Sequence, residues 1–303
     1  MLEILKKKIQ NLFFDYKKGI INNIIRFMVI ILILPYINDN RIIESHLYYI
    51  IAKFKPGNNQ YILFCDHYYK SYLGEFFTVP EKIKINNGNE ENYDIYNKYN
   101  LIEEQNIIEY LWENKSITSC VSMFKDCENL IEIDFSHFNS SNVTSTALMF
   151  YECTNLISLN LSNFDTSKVT IMLRMFLYCT SLTSLDLTNF NLSQISGLYG
   201  IDFMFGGCIS LTSLNLSSFN TSNIKSMSGL FFGCMSLISL DLSNFDTSNV
   251  TAKYEVPDFF SSGMNYMFYY CTSLISLNLF NFTNTKRNYY RKYVFRLYKF
   301  IIY

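Results

Sequence analysis

Charged side chains make up only 17% of the 303 residues, against about a quarter in ordinary soluble domains, while apolar residues reach 49%. That balance excludes an intrinsically disordered chain, which combines low hydrophobicity with high net charge. Basic residues are scarcest in the middle, where residues 123–282 hold 5 Lys or Arg against 12 Asp or Glu, net −7. Nucleic-acid affinity depends on Lys and Arg neutralising phosphates, so no nucleic-acid partner is expected for this stretch. Residues 1–122 balance at 14 and 14, and residues 283–303 carry 6 basic and no acidic side chains, so the net charge of −1 conceals an acidic middle and a basic end. Histidine is limited to His46, His67 and His137, and G-x-x-x-x-G-K, G-x-G-x-x-G and H-E-x-x-H are all missing. Nothing in the sequence cradles a phosphate or holds a metal, and no cofactor is expected. A long apolar run is missing too: Phe27–Leu34 is apolar throughout, ends at Pro35, and is too short to span a bilayer.

Internal repetition is plentiful. The string MFYECTNLISLNLSNFDTSKV, from Met149 to Val169, returns as MFLYCTSLTSLDLTNFNLSQI, MFGGCISLTSLNLSSFNTSNI and LFFGCMSLISLDLSNFDTSNV. A divergent copy precedes these at Met123–Val143, and a truncated one closes the series at Met267–Phe282, which makes six. Cys127, Cys153, Cys179, Cys208, Cys234 and Cys271 mark the phase, with spacings of 26, 26, 29, 26 and 37 residues. A basic period of 26 falls within the range of about 20 to 29 typical of leucine-rich repeats, and both long spacings follow the same place in the repeat, after Ile195 and after Val250.

Within one repeat, Leu156-x-x-Leu159-x-Leu161 has the alternation of a short parallel strand. Val169, Met172 or Leu173, and Phe176 then fall at helical spacing, with Thr166 or Ser167 available as an N-cap. The pattern predicts an α/β repeat solenoid of the leucine-rich type: about six 26-residue coils with parallel strands on a concave face, each coil adding a short helix or 3₁₀ turn. Four regions follow: a basic and apolar segment at 1–44, a β-rich capping module at 45–116, the solenoid at 117–282, and a basic aromatic tail at 283–303. In the module, Tyr61–Cys65 and Lys82–Asn86 read as strands, Asn87-Gly88 as a turn, and Glu103–Trp112 as a helix. The tail is available to cap the far end of the stack.

The frame MFxxCxxLxxLxLSxFxTSxV resembles the BspA-like leucine-rich repeat surface proteins, a bacterial type of repeat also abundant in some protists, over Met123–Phe282. The resemblance implies a cell-surface or secreted protein concerned with adhesion or host contact, with a protein or glycan ligand and no shared catalytic site. It leaves open an intracellular, cytoplasmic scaffold of the same fold. Lys6, Lys7, Lys8, Lys17, Lys18 and Arg26 ahead of the apolar run have the charge order of an export signal or signal anchor. An amphipathic helix packed on the fold fits the same residues, and membrane contact is conceivable through this segment or through the basic tail.

Two outward rows are the candidate binding face. One runs Glu132, Ser158, Ser184, Ser213, Ser239 and Ser276; the other runs Asp134, Asn160, Asp186, Asn215, Asp241 and Asn278. Hydroxyls, amides and carboxylates in register suit hydrogen bonding to a partner, although duplicated repeats produce such rows automatically. The insertion Thr251–Tyr266, with Tyr254, Phe259 and Phe260, departs from the repeat and is the candidate binding loop. Phe138, Phe164, Phe190, Phe219, Phe245 and Phe282 read as a core spine. One cysteine per repeat suits neither a zinc site nor disulfides, because strands about 4.8 Å apart exceed the disulfide Cβ separation of about 3.8 Å, so a ladder of buried thiols is expected. Cys65-Asp66-His67 has a nucleophile beside a base but no orienting third group, and no enzyme is expected. Nine N-x-[ST] triplets, beginning at Asn114, Asn139, Asn142, Asn160, Asn191, Asn215, Asn220, Asn249 and Asn281, arise readily from Asn- and Ser-rich repeats.

Overall fold

The computed structural model describes residues 47–60, 79–93, 99–113, 116–196, 199–251, 263–282 and 301–302. The chain divides into two units, Met1–Leu47 and Tyr48–Tyr303. The first lies outside the described residues apart from Leu47, and with it the expectations for the basic and apolar N-terminal segment. The predicted strand at Tyr61–Cys65, the Cys65-Asp66-His67 triplet, the loop residues Tyr254, Phe259 and Phe260, and the basic tail up to residue 300 also lie outside them.

Among the described residues eleven strands form: β1 (Leu47–Phe54), β2 (Gly57–Gln60), β3 (Lys82–Ile85), β4 (Glu91–Asn92), β5 (Tyr99–Leu101), β6 (Asn106–Glu113), β7 (Leu130–Asp134), β8 (Ser158–Asn160), β9 (Ser239–Asp241), β10 (Ser276–Asn278) and β11 (Ile301–Ile302). Their sheets run β4-β3-β6-β1-β7-β8, β11-β10-β9 and β2-β5. β1 and β6 are rich in β-branched and aromatic residues, and each buries alternate side chains, Ile50, Ala52 and Phe54 on one and Ile108, Tyr110 and Trp112 on the other. β1 lies antiparallel to β7, with Ile51 opposite Asp134 and Lys53 opposite Glu132, and Lys53 Nζ pairs with the Glu132 carboxylate at 2.6 Å. β7 then runs parallel to β8, with Ile133 opposite Leu159. The first repeat strand is thereby joined on one side to the β-rich module and on the other to the next repeat.

This architecture corrects the predicted α/β leucine-rich repeat solenoid with a strand and a helix in every coil. No helix occurs among the described residues, and the largest sheet is a six-stranded mixed one. Parallel pairing of repeat strands is confined to β7 with β8 and β9 with β10, whereas Ser184–Asp186 and Ser213–Asn215 form no strand. Between those middle repeats the backbone contact at this place is a single bond, Thr212 N–H to the Thr183 carbonyl at 3.2 Å. β6 occupies most of the Glu103–Trp112 segment predicted as a helix. The turn expected at Asn87-Gly88 sits one residue earlier: Gly88 N–H bonds the Ile85 carbonyl, with Asn86 and Asn87 at φ 51° and 59°, the signs a type I′ hairpin turn requires.

Hydrogen bonding explains why the Val-x-x-Met-x-x-x-Phe segment is not a helix. In the first repeat Cys120, Ser122, Phe124 and Asp126 donate their N–H groups to Ser145, Ala147, Met149 and Tyr151 of the next repeat, at 2.8 to 2.9 Å. The alternate residues Met123, Lys125 and Cys127 donate three residues back, to Cys120, Ser122 and Phe124. Half of the donors are thus committed across the stack, and none is left for the i to i−4 bonds of an α-helix. The same alternation recurs at Leu148, Phe150 and Glu152 toward Leu173, Met175 and Leu177. Two residues four apart in each repeat take positive φ, such as Ser122 with Asp126 and Arg174 with Tyr178, which a right-handed helix does not tolerate.

The core is a set of columns that run across the repeats. Phe124, Phe150, Phe176, Phe205, Phe231 and Phe268 stack face to face, with successive centroids 5.6 to 5.9 Å apart and interplanar angles of 4° to 9°. Phe138, Phe164 and Phe190 form part of a second column, and Phe219 stacks on Phe245 at the same position of later repeats. The six phased cysteines, Cys127, Cys153, Cys179, Cys208, Cys234 and Cys271, are buried free thiols, as expected, and Cys120, outside that phase, is a buried free thiol too. From Cys153 onward each thiol donates to the carbonyl of the stacked Phe in the preceding repeat, as Cys153 does to Phe124 at 3.0 Å and Cys208 to Phe176 at 3.2 Å. β11 lies parallel to β10, with Ile301 opposite Ser276, so two residues near the end of the chain pair with the last repeat strand.

Candidate functional site

The strand rows are where the sequence places the binding face. Ser158, Ser184, Ser213 and Ser239 are exposed at one position of four neighbouring repeats. On either side of their register, Glu132 lies opposite Ser158 and Ser276 opposite Ser239. Exposed Ile157, Ile238 and Ile275 precede three of these serines, giving the row an apolar border.

The second row is drawn into the fold itself. The Oδ1 atoms of Asp134, Asn160, Asp186, Asn215, Asp241 and Asn278 each accept the backbone N–H two residues on, at Ser136, Ser162, Thr188, Ser217, Ser243 and Phe280, over 2.8 to 3.2 Å. These are Asx turns, in which a short acceptor reverses the chain as the strand position ends. The N–H groups of Thr188 and Ser243 stabilise the ionised forms and hold the Asp186 and Asp241 carboxyls below the usual carboxylate range. Asn160 also donates through Nδ2 to Asp134 at 2.8 Å, linking two repeats. Each side chain of the row is therefore committed through Oδ1 to a turn of its own repeat.

A second set of Asx turns follows five residues later, where Asn139, Asp165, Asn191, Asn220 and Asp246 accept from Ser141, Ser167, Ser193, Ser222 and Ser248. Between them the repeats are fastened by side chains. Buried Thr166 donates through Oγ1 to the Asn191 carbonyl at 3.1 Å and accepts the Asn191 N–H at 2.7 Å, so it bridges to the next repeat rather than capping a helix. Asn163, Asn189 and Asn281 donate to the carbonyls of Ser136, Ser162 and Ser243, each in the preceding repeat. Of the Asn residues that begin N-x-[ST] triplets, Asn160, Asn249 and Asn281 likewise have Nδ2 bonded to an earlier repeat, and Asn142 Nδ2 donates to Ser116 Oγ, ahead of the first repeat.

One buried carboxyl stands apart. Asp202 occupies the place held by Val121, Ala147 and Leu173 in earlier repeats, and is 3% exposed. Ser228 donates its N–H to Asp202 Oδ1 at 2.9 Å, and Ser226 and the Arg174 charge favour its ionised form, but burial outweighs them and pushes the carboxyl up to about 7. The described cysteine thiols are likewise pushed upward by burial, Cys208 and Cys271 to about 12, which makes them poor nucleophiles.

Sequence reasoning passed over a row on the turn side of the repeats: Asp126, Glu152, Tyr178, Gly207, Gly233 and Tyr270, each immediately before the phased cysteine. Exposed Tyr178 and Tyr270 bracket two glycines there, a variation legible in the repeats once they are aligned on Cys.

The family model described as "Mycoplasma protein of unknown function, DUF285" matches residues 93–201 and again residues 185–296. Together the two matches span residues 93–296, which is 204 of the 303 positions. No curated protein and no solved structure matches the chain.

Proposed function

The chain belongs to the DUF285 family, and from that premise we propose that it is a non-enzymatic interaction or adhesion protein, of the BspA-like surface type, that presents its repeats to a protein or glycan partner. The observation that carries this reading is the repeated exposure of small polar side chains, Ser158, Ser184, Ser213 and Ser239, on neighbouring repeats whose interiors are committed to columns of Phe and Cys. Such a stack gains surface in one direction without changing its core, so outward positions are free to serve a partner while inward ones hold the fold. The BspA-like resemblance of the MFxxCxxLxxLxLSxFxTSxV frame adds the surface location.

The test uses the full chain. Microspheres coated with it are applied to epithelial monolayers and counted against albumin-coated ones. Attachment several-fold above albumin, competed by soluble full chain, is the expected result. Attachment equal to albumin would remove the adhesion reading and favour an intracellular scaffold.

A further inference from the structure

The last repeat does not leave its interior bare. Met267, Phe268, Cys271, Leu274 and Leu277 face inward at the positions that Leu230, Phe231, Cys234, Leu237 and Leu240 hold one repeat earlier, and every residue of both sets is at most 3% exposed. The earlier set lies between two repeats, whereas the later set has a repeat on one side alone. Phe268 stacks on Phe231 at 5.7 Å and 9°, which covers one face of its ring. The terminal coil of an uncovered solenoid would show its other face to water. A further element therefore lies over this end.

The strand register identifies that element. β11 lies parallel to β10 on the side away from β9, with Ile301 opposite Ser276 and Ile302 opposite Leu277. Ile301 comes 25 residues after Ser276, one short of the basic period of 26, so β11 holds the place of a seventh repeat strand without the repeat's sequence. That interval is what other repeats use for one full circuit, so the segment between Phe282 and β11 is long enough to pass over Phe268 and Cys271 before it returns to β10. Full burial stops where the pairing stops: Leu279 and Phe282, beyond Leu277, are half-buried where Leu242 and Phe245 are fully buried. Residues 283–300 have the composition of a cover. They include Tyr289, Tyr290, Val294, Phe295 and Leu297, and carry six basic and no acidic side chains against the net −7 of residues 123–282.

We propose that the end face of the last repeat is an interaction surface whose occupant is the chain's own segment 283–300, laid across it and closing the stack with β11 as a seventh coil of unrelated sequence. Apolar and aromatic side chains of the segment keep water from Phe268, Leu274 and Leu277, and the stems of Lys and Arg cover further apolar surface while their charges stay in water beside the acidic repeats. The inference goes beyond the adhesion reading and stands whether or not the outward serines bind a partner.

The test compares the full chain with its Ile302→Asp variant, which sets a carboxylate opposite buried Leu277, and with Ile301→Asp, opposite exposed Ser276. Trypsin cuts after Lys286, Arg287, Arg291, Lys292, Arg296 and Lys299, and a synthetic peptide of residues 283–303 gives the rate for the uncovered segment. Native wild type should be cut in this segment at least about tenfold more slowly than the peptide, because a protease cleaves only the open form. Ile302→Asp should lose most of that protection, since the cover would bury a charge, and Ile301→Asp should keep it. Hydrogen exchange read by mass spectrometry should show residues 264–282 exchanging faster in Ile302→Asp while residues 130–160 stay protected, which also shows that the variant is folded. The comparison of wild type with peptide decides the matter where the variant fails to fold. Cleavage of the native segment as fast as of the peptide, or equal protection of residues 264–282 in folded wild type and Ile302→Asp, would overturn the proposal. Protection of those residues that falls on dilution would overturn it too, by making a second copy the occupant.

Discussion

Replacing Asp202 by Asn isolates a buried carboxyl that the stack holds against its own preference. The folded protein binds its proton up to about pH 7, whereas an unfolded chain releases it near pH 3.9. Between those values the native state carries one proton more than the unfolded state, so this group makes stability fall as pH rises, by about 1.4 kcal/mol per pH unit, until the slope ends near pH 7. The accumulated loss approaches about 4 kcal/mol. Asn keeps an oxygen for the Ser228 N–H and cannot ionise, so Asp202→Asn should match wild type near pH 4 and exceed it in stability by several kcal/mol at pH 8. Urea unfolding followed by circular dichroism at half-unit steps from pH 4 to 8 measures the difference. A difference that stays constant with pH, or a variant less stable than wild type at pH 8, would refute the reasoning.

Three further perturbations probe the stack. Phe176→Ala removes a fully buried ring from the middle of the face-to-face column and should cost about 3 to 5 kcal/mol in urea unfolding. Thr166→Val keeps the shape but leaves the N–H and carbonyl of Asn191 without the hydroxyl that serves both, and should lower stability by about 1 to 3 kcal/mol. Peptide mapping after treatment with a thiol reagent at pH 8 should find Cys120, Cys127, Cys153, Cys179, Cys208, Cys234 and Cys271 unmodified in the native protein and modified in guanidinium chloride, because burial keeps them protonated. Rapid native labelling of Cys208 would contradict the packing.

The period, the phasing of the cysteines, their burial and the inward placing of Phe138 and Phe164 were legible because each follows from one-repeat arithmetic: a position that recurs every 26 residues with the same apolar type has one environment. That the segment from Val169 to Phe176 forms turns in place of a helix was not legible. Val169, Met172 and Phe176 are inward under helical spacing, and equally so when successive turns place a left-handed residue at Arg174 and Tyr178. Arg174, Leu148 and Phe203 carry no turn signal of their own; the turns close because alternate N–H groups are taken by the next repeat, a non-local bond absent from any local pattern. The same expectation of a helix hid the role of Phe124, Phe150 and Phe205 as the better-stacked column. For the candidate face, the outward position of Ser158 and Ser239 was readable from alternation. The Asx turns of Asp186 and Asn215 were written in the sequence as Asp or Asn two places before Thr or Ser, but an outward reading of the strand passes over that local chemistry.

Surface presentation is the central claim, and proteolysis of intact cells tests it most directly. Cells producing the full chain with a C-terminal tag are treated with a non-penetrating protease, and the tag is followed beside a cytosolic marker. Loss of the tagged chain while the marker survives is the predicted result. A chain cut only after the cells are lysed would contradict surface display.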